Sequence, residues 1–398
     1  MAQPNARPTI ALAACGAVSA LGVGIEPLTR ALVNNASGLR PCQRLAGKGY
    51  QSAVVGAIED SVMVRLRDEN PTFADARAFL LADAALRQVE QNIAGSLNEL
   101  PASRRGLVLS TTKADVEALE RTFRREPCSA AARRHVQPAW LAADLAAARG
   151  VSGPVQCVSV ACISGLLALK QGAALIRRDL ADLVYVVGVD LLSPFVLSGF
   201  TSLKSLDPDG CRPFDRGRLG LSLGEGAGAV ALVRGDLASP GSVWLRGWGV
   251  SDDANHLTGP ARDGSGLAAA IRRALDQAGL PAGNVDYAHM HGTGTPYNDA
   301  MESLALRSVF GERTPPFGSS KGMLGHTLGA AGVLETILCW VALKSRLLPG
   351  TPRLREPDPI APDSLLTLPK PVAELRAILK VNCGFGGTNG AMVLAKGD

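Results

Sequence analysis

Residues 154–189 read PVQCVSVACISGLLALKQGAALIRRDLADLVYVVGV, and this stretch decides the fold class. Its two ends, 154–160 and 183–189, are predicted strands, and the second is apolar throughout, as in a strand buried on both faces. The segment 163–178 is long enough for a helix and apolar nearly all round, which is typical of a helix sandwiched between layers. The stretch therefore predicts an α/β protein.

The same plan recurs towards the C-terminus, where a second apolar helix is predicted over residues 327–347. Two segments that each contain one buried helix indicate an internal duplication, which is visible in the pattern of predicted strands and helices and not in sequence identity. We expect two halves, 1–241 and 242–398, packed as one body because no low-complexity linker separates them. The other predicted strands are 9–14, 106–110, 243–250, 285–291, 377–382 and 391–394.

The composition of the 398 residues fits a large, well-buried enzyme, with 46% hydrophobic and 19% charged residues. Aromatic residues make up only 4% and glycine is abundant at 44, so Ala, Val and Leu must fill the interior. The net charge of +5 is mild, and no Lys/Arg run is interleaved with aromatic residues. We therefore expect no nucleic-acid binding, whereas a modest basic surface suits an acidic protein partner.

The eight cysteines lie far apart without a C-x-x-C pair, which favours free thiols in a reducing cytoplasm. Residues 10–24 are apolar and follow Arg7, like a weak secretory signal. However, Gly16, Gly22 and Gly24 favour a buried strand followed by a turn. No uninterrupted apolar run reaches about 18 residues, so no membrane span is expected. The sequence predicts a soluble, cytoplasmic protein.

Cys162 lies where a predicted strand ends and the buried helix begins. The helix N-terminus brings free backbone N–H groups and the positive end of the macrodipole, which favour a thiolate and lower the thiol pKa. The same N–H groups suit an oxyanion on an acylated sulfur. The alternative is a structural cysteine acting as a small hydrophobic residue, and position alone leaves both open.

Two of the five histidines stand in glycine-rich turns. His291 opens His-Gly-Thr-Gly-Thr-Pro after a predicted strand, and His326 lies at the start of the second buried helix, equivalent to Cys162 in the first. Lys321 precedes His326 by five residues, and a neighbouring cation keeps an imidazole neutral. Glu302 and Asp299 are predicted either to orient Lys321 or His326 or to serve as helix N-terminal charges.

The remaining histidines leave one further alternative. His289 shares a strand face with His291, so these two with His326 and Cys162 form a possible zinc set, although no pair has the close spacing of a structural site. His135 and His256 are predicted to be ordinary surface residues.

The segment 381–390, Val-Asn-Cys-Gly-Phe-Gly-Gly-Thr-Asn-Gly, links the last two predicted strands. Glycines around Phe385 give a backbone able to approach a ligand or swing. A phosphate-binding loop is the alternative for Gly-x-Gly-Gly, but a strand and not a helix N-terminus follows it.

Together these segments resemble the elongating β-ketoacyl-acyl carrier protein synthases (type I/II) of the thiolase superfamily, over nearly the whole chain. The resemblance is most specific at V-A-C-I-S-G, H-G-T-G-T-P, S-S-K-G-M-L-G-H-T-L-G-A-A-G and G-F-G-G-T-N, and also covers Arg212-Pro-Phe-Asp-Arg and Gly224-Glu-Gly-Ala-Gly. It implies duplicated thiolase-like halves in a layered α-β-α-β-α sandwich. It also implies a decarboxylative Claisen condensation of malonyl-carrier with a cysteine-bound acyl chain, in fatty acid, polyene or polyketide synthesis.

The resemblance further implies residue roles. Cys162 would carry the acyl chain, while His291 and His326 would bind the malonyl thioester carbonyl and promote decarboxylation. Lys321 and Glu302 would support the histidine pair by charge and hydrogen bonding. The other implied roles are an oxyanion hole from the N–H groups of Cys162 and Phe385, a gate at Phe385, and pantetheine contacts at Thr293 and Thr295. No metal or redox cofactor is implied.

Two residues depart from the family's pattern. Ile163 stands where Ala or Thr is common and Cys383 where Phe is usual. Both lie near the expected acyl path and leave the acyl chain open. The Arg-rich segment 117–148 is predicted to be a helical insertion, shorter than usual in the family.

The family's partners are acyl carrier protein and a second synthase subunit, so we expect a homodimer or a heterodimer with a related subunit. The resemblance implies that the acidic carrier protein docks near Lys204, Arg65 and Arg67. Initiating synthases are disfavoured by His326, and degradative thiolases by the two histidine motifs. A non-catalytic chain-length-factor subunit, the rival from another class, is disfavoured by the presence of Cys162.

Overall fold

The computed structural model describes residues 8–46, 49–93 and 95–397. The strands in this part of the chain are β1 Ile10–Ser19, β2 Gly22–Val23, β3 Arg40–Pro41, β4 Val54–Val55, β5 Arg105–Ser110, β6 Val155–Val158, β7 Leu183–Asp190, β8 Gly226–Arg234, β9 Val243–Asp252, β10 Tyr287–His289, β11 Phe317–Gly318, β12 Leu347–Leu348, β13 Lys370–Pro371, β14 Ala377–Cys383 and β15 Thr388–Lys396. The helices are α1 Ile25–Val33, α2 Asp60–Glu69, α3 Arg77–Asn92, α4 Gly95–Asn98, α5 Val116–Phe123, α6 Ala130–Arg134, α7 Pro138–Ala148, α8 Ser164–Arg177, α9 Pro194–Ser202, α10 Ser265–Ala278, α11 Pro296–Phe310, α12 Lys321–Leu324 and α13 Ala331–Ser345.

In the described part of the chain, the main sheet has eleven strands: two five-stranded parts with the same topology, and β2, which pairs with β1. The first runs β6-β5-β7-β8-β1 and the second β11-β10-β14-β15-β9. Numbered along the chain within each part, both orders are 3-2-4-5-1. In both, the strand numbered 2 pairs in parallel with 3 and 4, and the other pairs are antiparallel. The internal duplication is therefore visible strand by strand.

The central layer is formed by α8 and α13, which occupy the same place in the two topologies, between strands 3 and 4. They cross where Gly165 faces Gly332, and a Cβ on Gly165 would lie only 2.7 Å from the nitrogen of Val333. On the outer faces, α3 packs on β1, β7 and β8, and α10 packs on β9 and β15. The result is the α-β-α-β-α layering expected from the sequence.

Most predicted strands are present with shifted ends, and β7 is buried along its whole length as expected. The predicted helix 327–347 is instead a 3₁₀ turn, Leu328–Ala330, followed by α13. Strand β8 and helix α3 were not predicted from the sequence. The repeated glycines of Gly226–Arg234 conceal a strand that is almost wholly buried between β1 and β7, because backbone pairing and not side-chain alternation marks it.

The Arg-rich segment 117–148 is largely helical, as predicted, and contains three short helices, α5 to α7. The prediction that His135 is a surface residue is wrong. Its side chain is buried against Phe73 and Phe79, and its Nε2 lies 2.8 Å from Oδ2 of Asp144. Aromatic stacking therefore turns a polar residue of an exposed-looking segment inward.

One helix in the described part of the chain, Leu328–Ser345, is long and apolar enough to cross a membrane. Since 83% of it is buried within the protein, its hydropathy is that of the central packing layer.

Candidate active site

Cys162 lies in a tight turn between β6 and α8. Ala161 adopts a left-handed φ of 43°, which is uncommon for a residue with a side chain. The turn is held by Ser164, whose hydroxyl accepts from the Val160 N–H at 2.8 Å and donates to the Ala161 carbonyl at 2.6 Å. This geometry places the thiol at the N-terminal end of the central helix, as the sequence predicted.

His326 reaches the same point from the second half. Its Nε2 lies 2.9 Å from Sγ of Cys162, and its Nδ1 accepts a hydrogen bond from the Leu328 N–H at 3.3 Å. Because Nδ1 accepts, the ring proton of the neutral imidazole must sit on Nε2. His326 therefore presents a donor to the Cys162 sulfur and its surroundings.

His291 stands beside His326 with the two rings nearly perpendicular and their centroids 5.2 Å apart. Its Nδ1 faces two donors, the ammonium of Lys321 at 3.2 Å and the Nδ2 amide of Asn382 at 3.1 Å. The proton of His291 is thus also on Nε2. Two Nε2–H donors sit together in one buried site, which suits them to hold a single developing oxyanion.

A buried carboxylate balances the lysine beneath His291. Glu335 forms a short ion pair with Lys321, and its Oε2 lies 2.8 Å from Nζ of Lys380 and accepts from Nδ2 of Asn382 at 2.9 Å. Glu335, Lys380 and Asn382 were not predicted as site residues from the sequence. A lone carboxylate in the apolar helix α13 was the available signal for Glu335, because such a charge is retained only when it is paired.

The expectation that Glu302 orients Lys321 is wrong, since Glu335 holds Lys321, whereas its implied support of the histidine pair by hydrogen bonding is present at His291. Glu302 instead accepts from the backbone N–H groups of His291 at 2.7 Å and Gly292 at 2.6 Å. Asp299 likewise accepts from the backbone N–H groups of Thr293 and Gly294, the next two residues of the same loop. The two carboxylates therefore shape the loop that carries His291. Burial raises the pKa of Glu302 to about 8.

Burial also controls the ionisation of the Cys162 thiol and the two imidazoles. It raises the pKa of the Cys162 thiol to about 11, outweighing the lowering effects of Lys321 and of the Phe385 N–H. The expectation of a lowered thiol pKa is therefore wrong. Burial and the charge of Lys321 hold the pKa values of His291 and His326 well below 6.5, so both imidazoles are neutral as expected.

The cluster opens into a cavity of about 710 Å³. Thr293 and Thr295 line it with their hydroxyls 2.8 Å apart, and Cys383 lines it near the thiol. Phe385 is partly exposed and stacks on Phe200, with ring centroids 5.9 Å apart. Ile163 is fully buried and is not among the described residues that line this cavity, so it contacts the site only as the neighbour of Cys162.

Cys162, His291 and His326 also offer three possible metal ligands within 4.8 Å of one another, a donor set that zinc accepts. A metal would need the Nε2 lone pairs, but the donors facing Nδ1 of both rings place the protons on Nε2. His289, proposed as a fourth ligand, instead pairs with the Ser320 hydroxyl at 3.1 Å. The residues therefore do not fit a zinc site.

Models of a known protein family match most of the chain, including the segments that carry Cys162, His291 and His326. The N-terminal domain model of the beta-ketoacyl synthases matches residues 7–238, and the C-terminal domain model matches residues 243–355. The chain belongs to the beta-ketoacyl synthase family. The predicted condensing acyltransferase of thiolase-like fold is thus confirmed.

Several known proteins align with most or all of this chain. The 3-oxoacyl-[acyl-carrier-protein] synthase 2 of Coxiella burnetii is 28% identical over 97% of this chain and 98% of its own. Nodulation protein E of Rhizobium meliloti (strain 1021) is 32% identical over 87% and 88%. A chain from the complex of the ketosynthase ApeO with its chain length factor ApeC, from Xenorhabdus doucetiae, superposes with a TM-score of 0.86 at 29% identity, covering all of both chains.

Proposed function

We propose that this synthase is a 3-oxoacyl-acyl carrier protein synthase that extends an acyl chain held on Cys162 with two carbons from malonyl-carrier. The observation that carries the proposal is the contact between Nε2 of His326 and Sγ of Cys162 at 2.9 Å, beside a second Nε2–H donor on His291. A nucleophile and two donors in one buried site match a reaction that transfers an acyl group and then stabilises an enolate.

In the first step, the Cys162 sulfur attacks the thioester of an acyl-carrier. The new sulfur–carbon bond forms as the bond to the pantetheine sulfur breaks, and the thiol proton leaves with the pantetheine thiol. The N–H of Phe385 points at Sγ of Cys162, and Gly384 lies against the N–H of Cys162. These two N–H groups are suited to hold the oxyanion of this step and of the final attack.

In the second step, malonyl-carrier occupies the cavity with its thioester oxygen between His291 and His326. Carbon dioxide leaves, and the electron pair of the broken bond moves onto that oxygen, which accepts hydrogen bonds from both Nε2–H groups. The enolate carbon then attacks the acyl carbon on Cys162. The sulfur departs as a thiolate and regains a proton, which leaves a 3-oxoacyl-carrier.

The cavity supports delivery by a pantetheine arm. Its walls carry the paired hydroxyls of Thr293 and Thr295, which are suited to the amides of such an arm. Phe385, on the glycine-rich loop beside the thiol, serves as the gate between the acyl and malonyl sides. The left-handed φ of Gly386 and Gly387 allows the loop its shape there.

The carrier would approach the cavity from its rim, where Lys204 is exposed. Arg65 and Arg67 are exposed on α2 and extend the candidate docking surface for an acidic carrier. The likeness to the ApeO–ApeC complex supports a dimer with a related subunit, with a homodimer as the alternative. We propose a cytoplasmic location for the synthase. We also propose that its two halves divide between residues 241 and 242.

The proposed reaction serves either primary fatty acid synthesis or a polyene or polyketide pathway. The chain-length-factor role is the second candidate, and it is disfavoured because Cys162 and both histidines are assembled as a working site.

The test is mass spectrometry of the full-length protein after incubation with a panel of acyl-carrier and acyl-pantetheine thioesters. We expect an acyl mass on Cys162 of the wild type and of the Cys157→Ala control, which removes an exposed cysteine. Cys162→Ala should keep the fold but lose both the acyl mass and condensation. A Cys162→Ala protein that still condenses acyl and malonyl groups would refute the proposal.

A further inference from the structure

Lys380 is a second buried lysine next to the proposed site. It lies on β14, its side chain is fully buried, and it is not required by the reaction steps described above. A buried ammonium is costly unless its protons are all taken up. Its Nζ meets this requirement by donating to Oδ1 of Asn382 at 2.8 Å and to the Val381 carbonyl, and by pairing with Oε2 of Glu335 at 2.8 Å.

These contacts fix which way the Asn382 amide points. The amide oxygen accepts from Lys380, so the NH₂ group must face the other side, where it donates to Glu335 at 2.9 Å and to Nδ1 of His291 at 3.1 Å. With Lys380 gone, the amide oxygen loses its donor, and only the bond to Glu335 opposes a rotation that would offer this oxygen to His291. The oxygen would then compete with the Lys321 ammonium at Nδ1 of His291 and favour the tautomer with the proton on Nδ1, which leaves Nε2 without one.

We propose that Lys380 is a positioning residue for the malonyl half of the reaction, acting through the Asn382 amide to keep the His291 proton on Nε2. This inference rests on the proposed function. Lys380 is not among the described residues that line the cavity, and the Asn382 amide links it to His291, so it acts on the enolate-binding donor and not on the nucleophile.

The charge balance of the cluster supports the same role. Lys321 and Lys380 share the single carboxylate of Glu335, which leaves one net positive charge beneath the two neutral histidines. The described titratable groups that interact with Lys380 also include His289 and the thiols of Cys339 and Cys383, and all three are uncharged. Burial and Lys380 lower the pKa of His289 to about 3, burial raises the pKa of Cys339 to about 12, and burial raises the pKa of Cys383 well above its usual value. The net positive charge therefore lies beneath the proposed position of the enolate.

Two substitutions test the inference in the full-length protein. Lys380→Met removes the ammonium. Asn382→Asp keeps the shape of the amide but can only accept a hydrogen bond from Nδ1 of His291, so it forces the same tautomer by an independent route. Lys344→Met is the matched control, because Lys344 is exposed on α13, the helix that carries Glu335.

Two half-reactions are measured: carbon dioxide release from malonyl-pantetheine and acylation of Cys162 by mass spectrometry. We expect Lys380→Met and Asn382→Asp each to lower carbon dioxide release at least tenfold more than acylation, and Lys344→Met to change neither. The ¹⁵N chemical shifts of the His291 ring should report a proton on Nε2 in the wild type and on Nδ1 in both variants.

Wild-type carbon dioxide release in Asn382→Asp, or equal losses of both half-reactions with the His291 tautomer unchanged, would overturn the inference. If Lys380→Met does not fold, Asn382→Asp decides. Absence of carbon dioxide release from the wild type would overturn the proposed function instead, and the ring shifts would still test Lys380.

Discussion

Nε2 of His326 lies 2.9 Å from Sγ of Cys162 although the two residues are 164 positions apart in the sequence. Each stands just before a helix of the central layer, and the duplicated topology brings the two helix starts together. The site therefore sits where the halves meet, and its geometry depends on how closely α8 and α13 pack.

The alkylation rate of Cys162 should rise steadily with pH. Because burial raises the pKa of this thiol to about 11, the thiolate is a minor species at neutral pH. Its fraction increases about tenfold per pH unit below the pKa. Iodoacetamide labelling followed by mass spectrometry between pH 6.5 and 9 measures this slope. A rate that levels off below pH 8 would show that the helix N-terminus outweighs burial.

Replacement of His326 by alanine should lower carbon dioxide release from malonyl-carrier by roughly 10²–10³-fold, the usual loss when one donor to a developing oxyanion is removed. His291→Ala should behave similarly because both rings present Nε2–H to the same point. Single-turnover release of labelled carbon dioxide checks both variants. An undiminished rate in either variant would remove that histidine from the enolate site.

Glu335→Gln should destabilise the fold by about 3–5 kcal/mol, since it leaves two buried ammonium groups without their counter-charge. Urea unfolding followed by tryptophan fluorescence gives the free energy of unfolding. The control is Glu374→Gln, which breaks an exposed pair with Arg376 and should leave the urea midpoint unchanged. Equal midpoints for wild type and Glu335→Gln would mean that the cluster is not charged as described.

Gly165→Ala should destabilise the protein by about 1–3 kcal/mol and reduce condensation, because the new Cβ would lie 2.7 Å from the Val333 nitrogen and push α8 away from α13. Gly199→Ala is the control. Gly199 lies inside α9 with no atom within 4 Å of a built Cβ, so alanine there should stabilise by roughly 0.5–1 kcal/mol. Thermal unfolding and condensation assays on both variants distinguish crowding from a general glycine effect.

The local sequence pattern predicted a segment correctly where its apolar run is compatible with only one kind of secondary structure. The buried strand β7 and the helix α8 were predicted from apolar runs. Position at the ends of such runs made Cys162, His291 and His326 candidates, and the family resemblance of their motifs selected them. Pattern failed at β8, whose glycines carry no hydrophobic alternation, and at His135, which aromatic stacking buries. It also gave Lys321 the wrong carboxylate partner.

The sequence by itself determined the α/β class, the duplicated halves and the family, and it predicted Cys162, His291 and His326 as site residues, because each is marked by a short contiguous motif. Only the tertiary structure decided that Glu335 and not Glu302 pairs with Lys321, that the thiol pKa is raised, and that Lys380 orients the amide beside His291. The physical reason is that ion pairs, desolvation and amide orientation depend on atoms from distant segments, whose approach is set by the packing of the layers.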